Sequence, residues 1–337
     1  MSVVQAWFTT DSIRFRVRAL KARFRDQKAE FDIIRRHVRP GDIVCDIGAN
    51  KGSFIYWLSC WVGDGRVVAF EPQPELARSI ADACRAIKLR NVKVEAKAVY
   101  SHGGDRDLFV PEGHQPGASL HRKAQEAAGF TTLSVPLVSL DEYFGENDRI
   151  TLLKIDVEGA EFGVLRGAER ILRQHAPLLV FECENRHLAP GNVGDVFSYL
   201  EGLGYQGSFI SRGQLLPISE FDAAVHQRQD GEWFWKSRDY CNNFVFRKAA
   251  AAASAGDRSI SSGSDRGRAV QNDKTTKQKD ATGLLPSRPN LRARWSRRRE
   301  RPSAKPEKKL SGRSQRGDSA WCKTLDHLLS LLMEIAI

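Results

Sequence analysis

Asp46, Gly48, Asn50 and Gly52 fall in one run, DIGANKG, directly after the apolar segment DIVCDI and before a segment carrying Phe54, Ile55, Leu58 and Trp61. A glycine-rich turn at the carboxyl end of a first parallel strand is where doubly wound folds hold nucleotide-like ligands, because absent side chains let the backbone approach the ligand. Downstream, the β-branched run RVVAFE ends in Glu71. An acid at the tip of a second strand is placed to accept hydrogen bonds from ribose hydroxyls.

The glycine spacing separates two cofactors that share this arrangement. A dinucleotide fingerprint needs Gly-x-Gly-x-x-Gly, and the three positions read Gly48, Asn50 and Ser53. Without the second glycine a pyrophosphate has little room. The order Asp-x-Gly-x-Asn-x-Gly suits S-adenosylmethionine instead, which carries no phosphate and whose aminoacyl end can be met by polar groups and backbone.

A third element, LLKIDVEGAE, delivers Lys154, Asp156, Glu158 and Glu161 to another strand end and the helix start beyond it. Asp156 is placed to face the ligand crevice, since strand carboxyl ends do so in open α/β sheets. Glu161 reads as a first-turn acid complementing a helix dipole. The Gly- and Pro-rich stretch 111–123 has the composition of a substrate loop and holds His114 and His121, residue types that more often lie on the surface. Trp233, Phe234, Trp235 and Tyr240 form an aromatic group, either stacking on a sugar ring or packing as core or lid.

These residues need a frame of alternating strands and helices, and the pattern supplies one from Asp42 to about Arg247. Strands are expected at 42–47, 66–71, 92–99, 133–138, 150–156 and 178–182. Leu76, Ile80, Ala83 and Ile87 mark one intervening helix face; Val164, Leu165, Ala168, Ile171 and Leu172 mark a second, and 193–203 a third helix. A hairpin about Arg212-Gly213 and a closing strand at 242–247 complete an α/β fold with a mainly parallel, doubly wound sheet. Upstream, Ile13, Val17, Leu20, Phe24, Phe31, Ile34 and Val38 predict a helix over 11–38, basic on its other faces. It reads as a lid packed on the body, with peripheral contact to an anionic membrane surface as the competing role.

The chain of 337 residues carries 52 Lys and Arg against 41 Asp and Glu. Residues 249–337 account for 19 of the bases and 9 of the acids, leaving 33 against 32 in residues 1–248, so the net charge of +11 describes the tail. The chain divides into three regions: an N-terminal helical lid, 1–39; a cofactor-binding domain, 40–248; and a basic tail, 249–337, too poor in apolar residues to order itself. No run reaches the roughly 18–20 apolar residues of a membrane helix, and the start lacks signal-peptide order. A soluble, cytoplasmic protein is expected. Cysteines at 45, 60, 84, 183, 241 and 322 form no C-x-x-C pair and read as reduced thiols, and no metal site is indicated.

Taken together, DIGANKGSF, VVAFEPQPE and LKIDVEGAEFGVLRGA resemble the FkbM family of S-adenosylmethionine-dependent methyltransferases, over most of residues 40–248. The resemblance implies a Rossmann-like class I methyltransferase fold and O-methylation of a hydroxyl on a sugar, glycan or secondary metabolite. It also implies that Asp46, Gly48, Asn50 and Gly52 line the methionine end of the cofactor, Glu71 with Pro72 its ribose, and Asp156 and Glu158 the methyl-transfer crevice. An alcohol must lose its proton to attack, so a positioned base is needed. Asp156 ranks first, with Glu158, Glu182 and His121 as further candidates that would orient the acceptor. Two competing functions remain: nucleic-acid methylation, disfavoured by the neutral body and confined to non-specific contact through the tail, and a non-catalytic binding module. An NAD-dependent oxidoreductase is disfavoured by the glycine spacing.

Overall fold

Residues 10–249, apart from 113–116, 122–128 and 189–190, are described by a computed structural model. His114 and nearly all of the basic tail lie outside these residues.

Five strands run parallel: β1 (Ile43–Ile47), β2 (Arg66–Phe70), β3 (Val92–Glu95), β7 (Ile150–Ile155) and β8 (Leu178–Glu182). They stand in the order β3-β2-β1-β7-β8, and the sheet continues through antiparallel β11 (Asn243–Lys248), β9 (Tyr205–Ser211) and β10 (Gln214–Pro217). Both faces are covered, which is why these strands read as near-continuous apolar runs. Alternate side chains divide between two cores. Val44, Val67, Leu152 and Val180 pack beneath the N-terminal helices, and Cys45, Val68, Leu153 and Leu179 beneath the helices that come after β7 and β8. Strand order reverses between β1 and β7, which opens a crevice at their carboxyl ends.

The predicted strand 92–99 is two strands in two sheets. β3 stops at Glu95, and β4 (Ala98–Val99) pairs instead with β6 (Phe130–Val138), which also pairs with β5 (Gly104–Pro111). β5 gave little sequence signal because its first half is charged and exposed.

The predicted helix over 11–38 is broken. α1 (Thr10–Lys21) runs into a π-helical turn, Ala22–Asp26, before α2 (Lys28–His37). A π turn rotates the helix on its N-terminal side against the helix on its C-terminal side, so one apolar stripe cannot be read through both halves. Ser12, Phe15, Ala19 and Ala22 face the protein, whereas Ile13 and Val17 are 43% and 51% exposed. α3 (Ile55–Val62) and α4 (Pro74–Ala86) come after β1 and β2. The helix predicted around Val164–Leu172 divides into α6 (Glu161–Arg166) and α7 (Glu169–Gln174), after the short α5 (Leu140–Tyr143). The division falls at Gly167, where an added Cβ would stand 2.0 Å from the Tyr100 carbonyl oxygen. α8 (Val193–Gly202) and α9 (Ala223–His226) complete the order.

Cys45, Cys84, Cys183 and Cys241 are free and buried. No helix among the described residues is long and apolar enough to cross a membrane.

Candidate functional site

The turn after β1 alternates left-handed residues, Gly48 (φ 79°), Asn50 (φ 49°) and Gly52 (φ 77°), so its peptide groups face alternate ways. The N–H groups of Gly48 and Ala49 both donate to the Phe70 carbonyl, at 2.9 and 3.0 Å, tying the turn to the end of β2. Gly48 leaves no room for a side chain, since a Cβ would lie 1.8 Å from the Asp156 carbonyl oxygen.

Glu71 clamps this turn to the next loop. One carboxylate oxygen accepts the Asn50 N–H at 2.7 Å, and the other accepts the Gln73 N–H at 2.9 Å. The residue is 3% exposed, and burial pushes its carboxyl up to about 7 against the pull of those two hydrogen bonds. Each oxygen keeps a lone pair for a ligand hydroxyl. Glu71, Pro72 and Gln73 line a cavity together with Gly48 and Asn50. Val99 and Leu108 from the small sheet, which sequence reasoning missed, and Ala118 and Leu120 from the 111–123 stretch give it an apolar wall. α1 packs over the same turn: Phe15 lies against Gly52, and Arg18 Nη1 donates to the Lys51 carbonyl at 2.7 Å.

Asp46 is 3% exposed and is not among the cavity-lining residues; it lies under the turn, on the face of β1 turned toward the N-terminal helices. Its register partner on β7 is Lys154, 2% exposed and 5.1 Å from the centre of the Phe54 ring. Burial pushes the Asp46 carboxyl up to about 7, opposed by the Lys154 charge, and its Oδ2 has no hydrogen-bond partner. Lys154 Nζ also stands 3.8 Å from Asp156 Oδ2.

Asp156, Glu158 and Glu182 share the far wall of the cavity. The Asp156 side chain keeps 34% of its surface open there, and desolvation raises its pKa against Lys154. Glu158 is held in a left-handed backbone (φ 54°), its carbonyl accepting from Ser119 Oγ at 2.6 Å and its carboxylate 3.0 Å from His187 Nδ1. Glu182 accepts from Asn242 Nδ2 at 2.7 Å, and burial beside Asp156 holds its carboxyl well above the usual range. Behind it, Glu184 is 2% exposed; burial raises its pKa, but hydrogen bonds from Arg186 and Tyr240 outweigh that and hold it low. Glu161 stands in the first turn of α6, where its carboxylate accepts the Gly159 N–H at 3.0 Å.

His121 is not brought to this wall. It does not line the cavity, and its ring packs toward Tyr100, 6.4 Å between centres. Lys154, Glu184 and His187 were not singled out as site residues from the sequence. For Lys154 one signal existed, because it falls on the same strand face as Leu152.

The set fits S-adenosylmethionine. Glu71 offers acceptors for two ribose hydroxyls, the apolar wall can cover a planar base, and the unpartnered Asp46 Oδ2 adds negative charge beneath the turn. Among the described residues, no group of three or more His, Cys, Asp or Glu is arranged to hold a metal ion.

Known proteins give the same grouping. A protein from Streptomyces tacrolimicus, 31-O-demethyl-FK506 methyltransferase FkbM, is 28% identical over 197 residues, covering 50% of this chain and 74% of the relative. Methyltransferase sdnD of Sordaria araneosa is 28% identical over 155 residues, covering 37% and 60%. The crystal structure of methyltransferase FkbM from Methylobacillus flagellatus superposes with a TM-score of 0.40 at 15% identity, over 73% of this chain and 56% of that one. The methyltransferase FkbM domain matches residues 46–206, the stretch that holds all three sequence motifs.

Proposed function

We propose that this methyltransferase uses S-adenosylmethionine to methylate a hydroxyl group of a sugar, glycan or secondary metabolite. The observation that carries the reading is the arrangement of one cavity. At one end Glu71 ties the glycine turn to the second-strand loop, and at the other three carboxylates from two neighbouring strand ends converge. The name of the Streptomyces relative, 31-O-demethyl-FK506 methyltransferase, supports an oxygen acceptor.

When bound, the cofactor supplies a methyl group already activated by its positive sulfur. The chain's own residues then have two tasks. They must hold the acceptor oxygen in line at about 3–3.5 Å, where orientation supplies much of the rate, and they must remove its proton. Asp156 is the base, since its carboxylate is open to the cavity while Lys154 favours its charged form. Glu182, held by Asn242 Nδ2, orients the acceptor beside Asp156. Glu158, fixed by His187, orients the acceptor from the other side.

Calorimetric titration of the full chain with S-adenosylmethionine and S-adenosylhomocysteine tests the cofactor. Micromolar binding of both is expected, and absence of both overturns the reading. Asp156→Asn should bind S-adenosylhomocysteine within a few-fold of wild type while slowing methyl transfer by about 10²–10⁴. Unchanged turnover would move the base elsewhere.

A further inference from the structure

Two exposed indoles lie on the segment that leads into β11, outside the machinery described above. Trp233 is 55% and Trp235 42% exposed, the two aromatic members of the exposed large apolar side chains among the described residues. Their rings meet 5.3 Å apart at 63°, and Phe234 stands perpendicular to Trp235 while packing on Tyr240. Adjacent indoles left in water forgo burial energy, so such a pair points to a ligand.

Topology places the pair at the working edge of the sheet. β11 is antiparallel to β8, with its first residue, Asn243, opposite the last residue of β8, Glu182. The segment leading into β11 therefore arrives at the carboxyl ends of the parallel strands, where open α/β sheets bind ligands. A continuous polar chain joins the indoles to the cavity. Asn242 Nδ2 donates to Glu182 Oε1 at 2.7 Å and to Glu184 Oε1 at 3.2 Å. Glu184 in turn accepts from Arg186 Nε at 2.5 Å, and the Arg186 guanidinium lies 5.5 and 5.8 Å from the Phe234 and Trp235 ring centres.

We infer that Trp233 and Trp235 form an outer subsite for the methyl acceptor, and that the group they take is a neutral pyranose ring. The inference rests on the hydroxyl-methylating reading above and names its substrate class. Charge argues for neutrality. Arg186, the guanidinium beside the Phe234 and Trp235 rings, is paired with Glu184, and the Lys236 ammonium is engaged over the Trp233 ring at 3.9 Å. A phosphate or carboxylate binding Arg186 would have to displace Glu184. Shape argues for a sugar: indoles at 63° form a corner, not the parallel slot that a flat aromatic ligand needs on both faces. A pyranose needs one ring face for its C–H groups and a polar rim for its hydroxyls. Arg186 and Lys236 supply that rim.

The test uses the full chain with its seven tryptophans replaced by 5-fluorotryptophan, saturated with S-adenosylhomocysteine and titrated with methyl glucoside, galactoside and mannoside. Fluorine spectra and saturation transfer to the sugar protons are the readouts. At least one glycoside should receive saturation on its C–H face and shift the two resonances assigned through Trp233→Phe and Trp235→Phe. The double variant Trp233→Ala/Trp235→Ala should weaken that binding about tenfold or more. The phenylalanine variants should retain it within a few-fold, and Leu215→Ala, at an exposed site on β10, should change nothing. No contact with any of the three glycosides, or contact undiminished in the double variant, overturns the inference. Calorimetry with S-adenosylhomocysteine on the same samples separates the two readings. Intact cofactor binding without sugar contact removes the subsite alone, and sugar contact without cofactor binding removes the methyl-transfer reading.

Discussion

Gly48→Ala should be the most damaging methyl group that can be added to the cofactor turn, and its cost can be worked from two separate terms. The backbone at Gly48 has φ 79°, in the left-handed region that costs an L-residue about 1–2 kcal/mol. The added Cβ would also lie 1.8 Å from the Asp156 carbonyl oxygen, where a normal C···O contact is about 3.3 Å. Relief requires separating the β1 turn from the end of β7, two backbones tied by the Asp156 N–H to Ile47 carbonyl bond at 2.9 Å. Overpacking of that kind costs about 1–3 kcal/mol. Reduced freedom of the unfolded chain returns about 0.4–1 kcal/mol. The net is about 1–4.6 kcal/mol, or roughly 2–18 °C in melting temperature for a domain of this size.

Gly41→Ala is the matched control. Gly41 has φ 91° but nothing within 4 Å of its added Cβ, so strain alone applies, about 1 kcal/mol after the same entropy return. Urea denaturation of both variants reads the difference directly, and calorimetry should show S-adenosylhomocysteine affinity lost in Gly48→Ala and retained in Gly41→Ala. If the two variants are equally stable, the contact between the turn and Asp156 is not a constraint, and the account of why this position is glycine fails.

Glu71→Gln sets an amide against one of two backbone donors, leaving a buried N–H unpaired at about 1–3 kcal/mol; calorimetry should show cofactor affinity falling at least about tenfold. The same carboxyl, with its pKa pushed up to about 7 in the fold and near 4.3 when unfolded, contributes stability below the unfolded value that is lost as pH rises through about 7. The melting temperature of the free protein should therefore fall over that window, less so in Glu71→Gln, while cofactor affinity rises as the carboxylate forms. Lys154→Met removes the buried cation between Asp46 and Asp156 and should cost about 3–5 kcal/mol in urea denaturation. The double variant Lys154→Met/Asp46→Asn should recover part of that loss, and additive losses would show that the two residues do not interact.

Residues that lie consecutively or at a strand end were legible in the sequence. Gly48, Asn50 and Gly52 share one turn, and Glu71 and Asp156 terminate or succeed apolar runs, so strand polarity alone assigns them to one edge. Features that depend on long-range pairing or local phase were hidden. Lys154 is legible as a residue near a strand end, but only the pairing of β1 with β7 sets it against Asp46. His187 meets Glu158 only because the loop after β8 returns to the β7 turn. The first helix failed by phase: its π turn made Ile13 and Val17 seem to belong with Phe31 and Ile34, although Phe15 and Ala19 hold the buried face.

The site's electrostatics connect these pieces. Asp156, Glu158 and Glu182 line one end of the cavity, with Glu184 behind Glu182 and Asp46 buried beneath the glycine turn, and the cations engaged with these acids are Lys154 and Arg186. Glu184 is neutralised by Arg186, and Lys154 is shared between Asp46 and Asp156, so acid remains in surplus. That surplus opposes ionisation in the free protein, adding to the burial that already raises the Asp46, Glu71 and Glu182 carboxyls. A ligand bearing a sulfonium and an ammonium against one carboxylate brings net positive charge to that end and relieves the repulsion. An anionic dinucleotide would intensify it. The carboxylate arrangement and the missing second glycine, one a property of charge and the other of shape, therefore select the same cofactor independently.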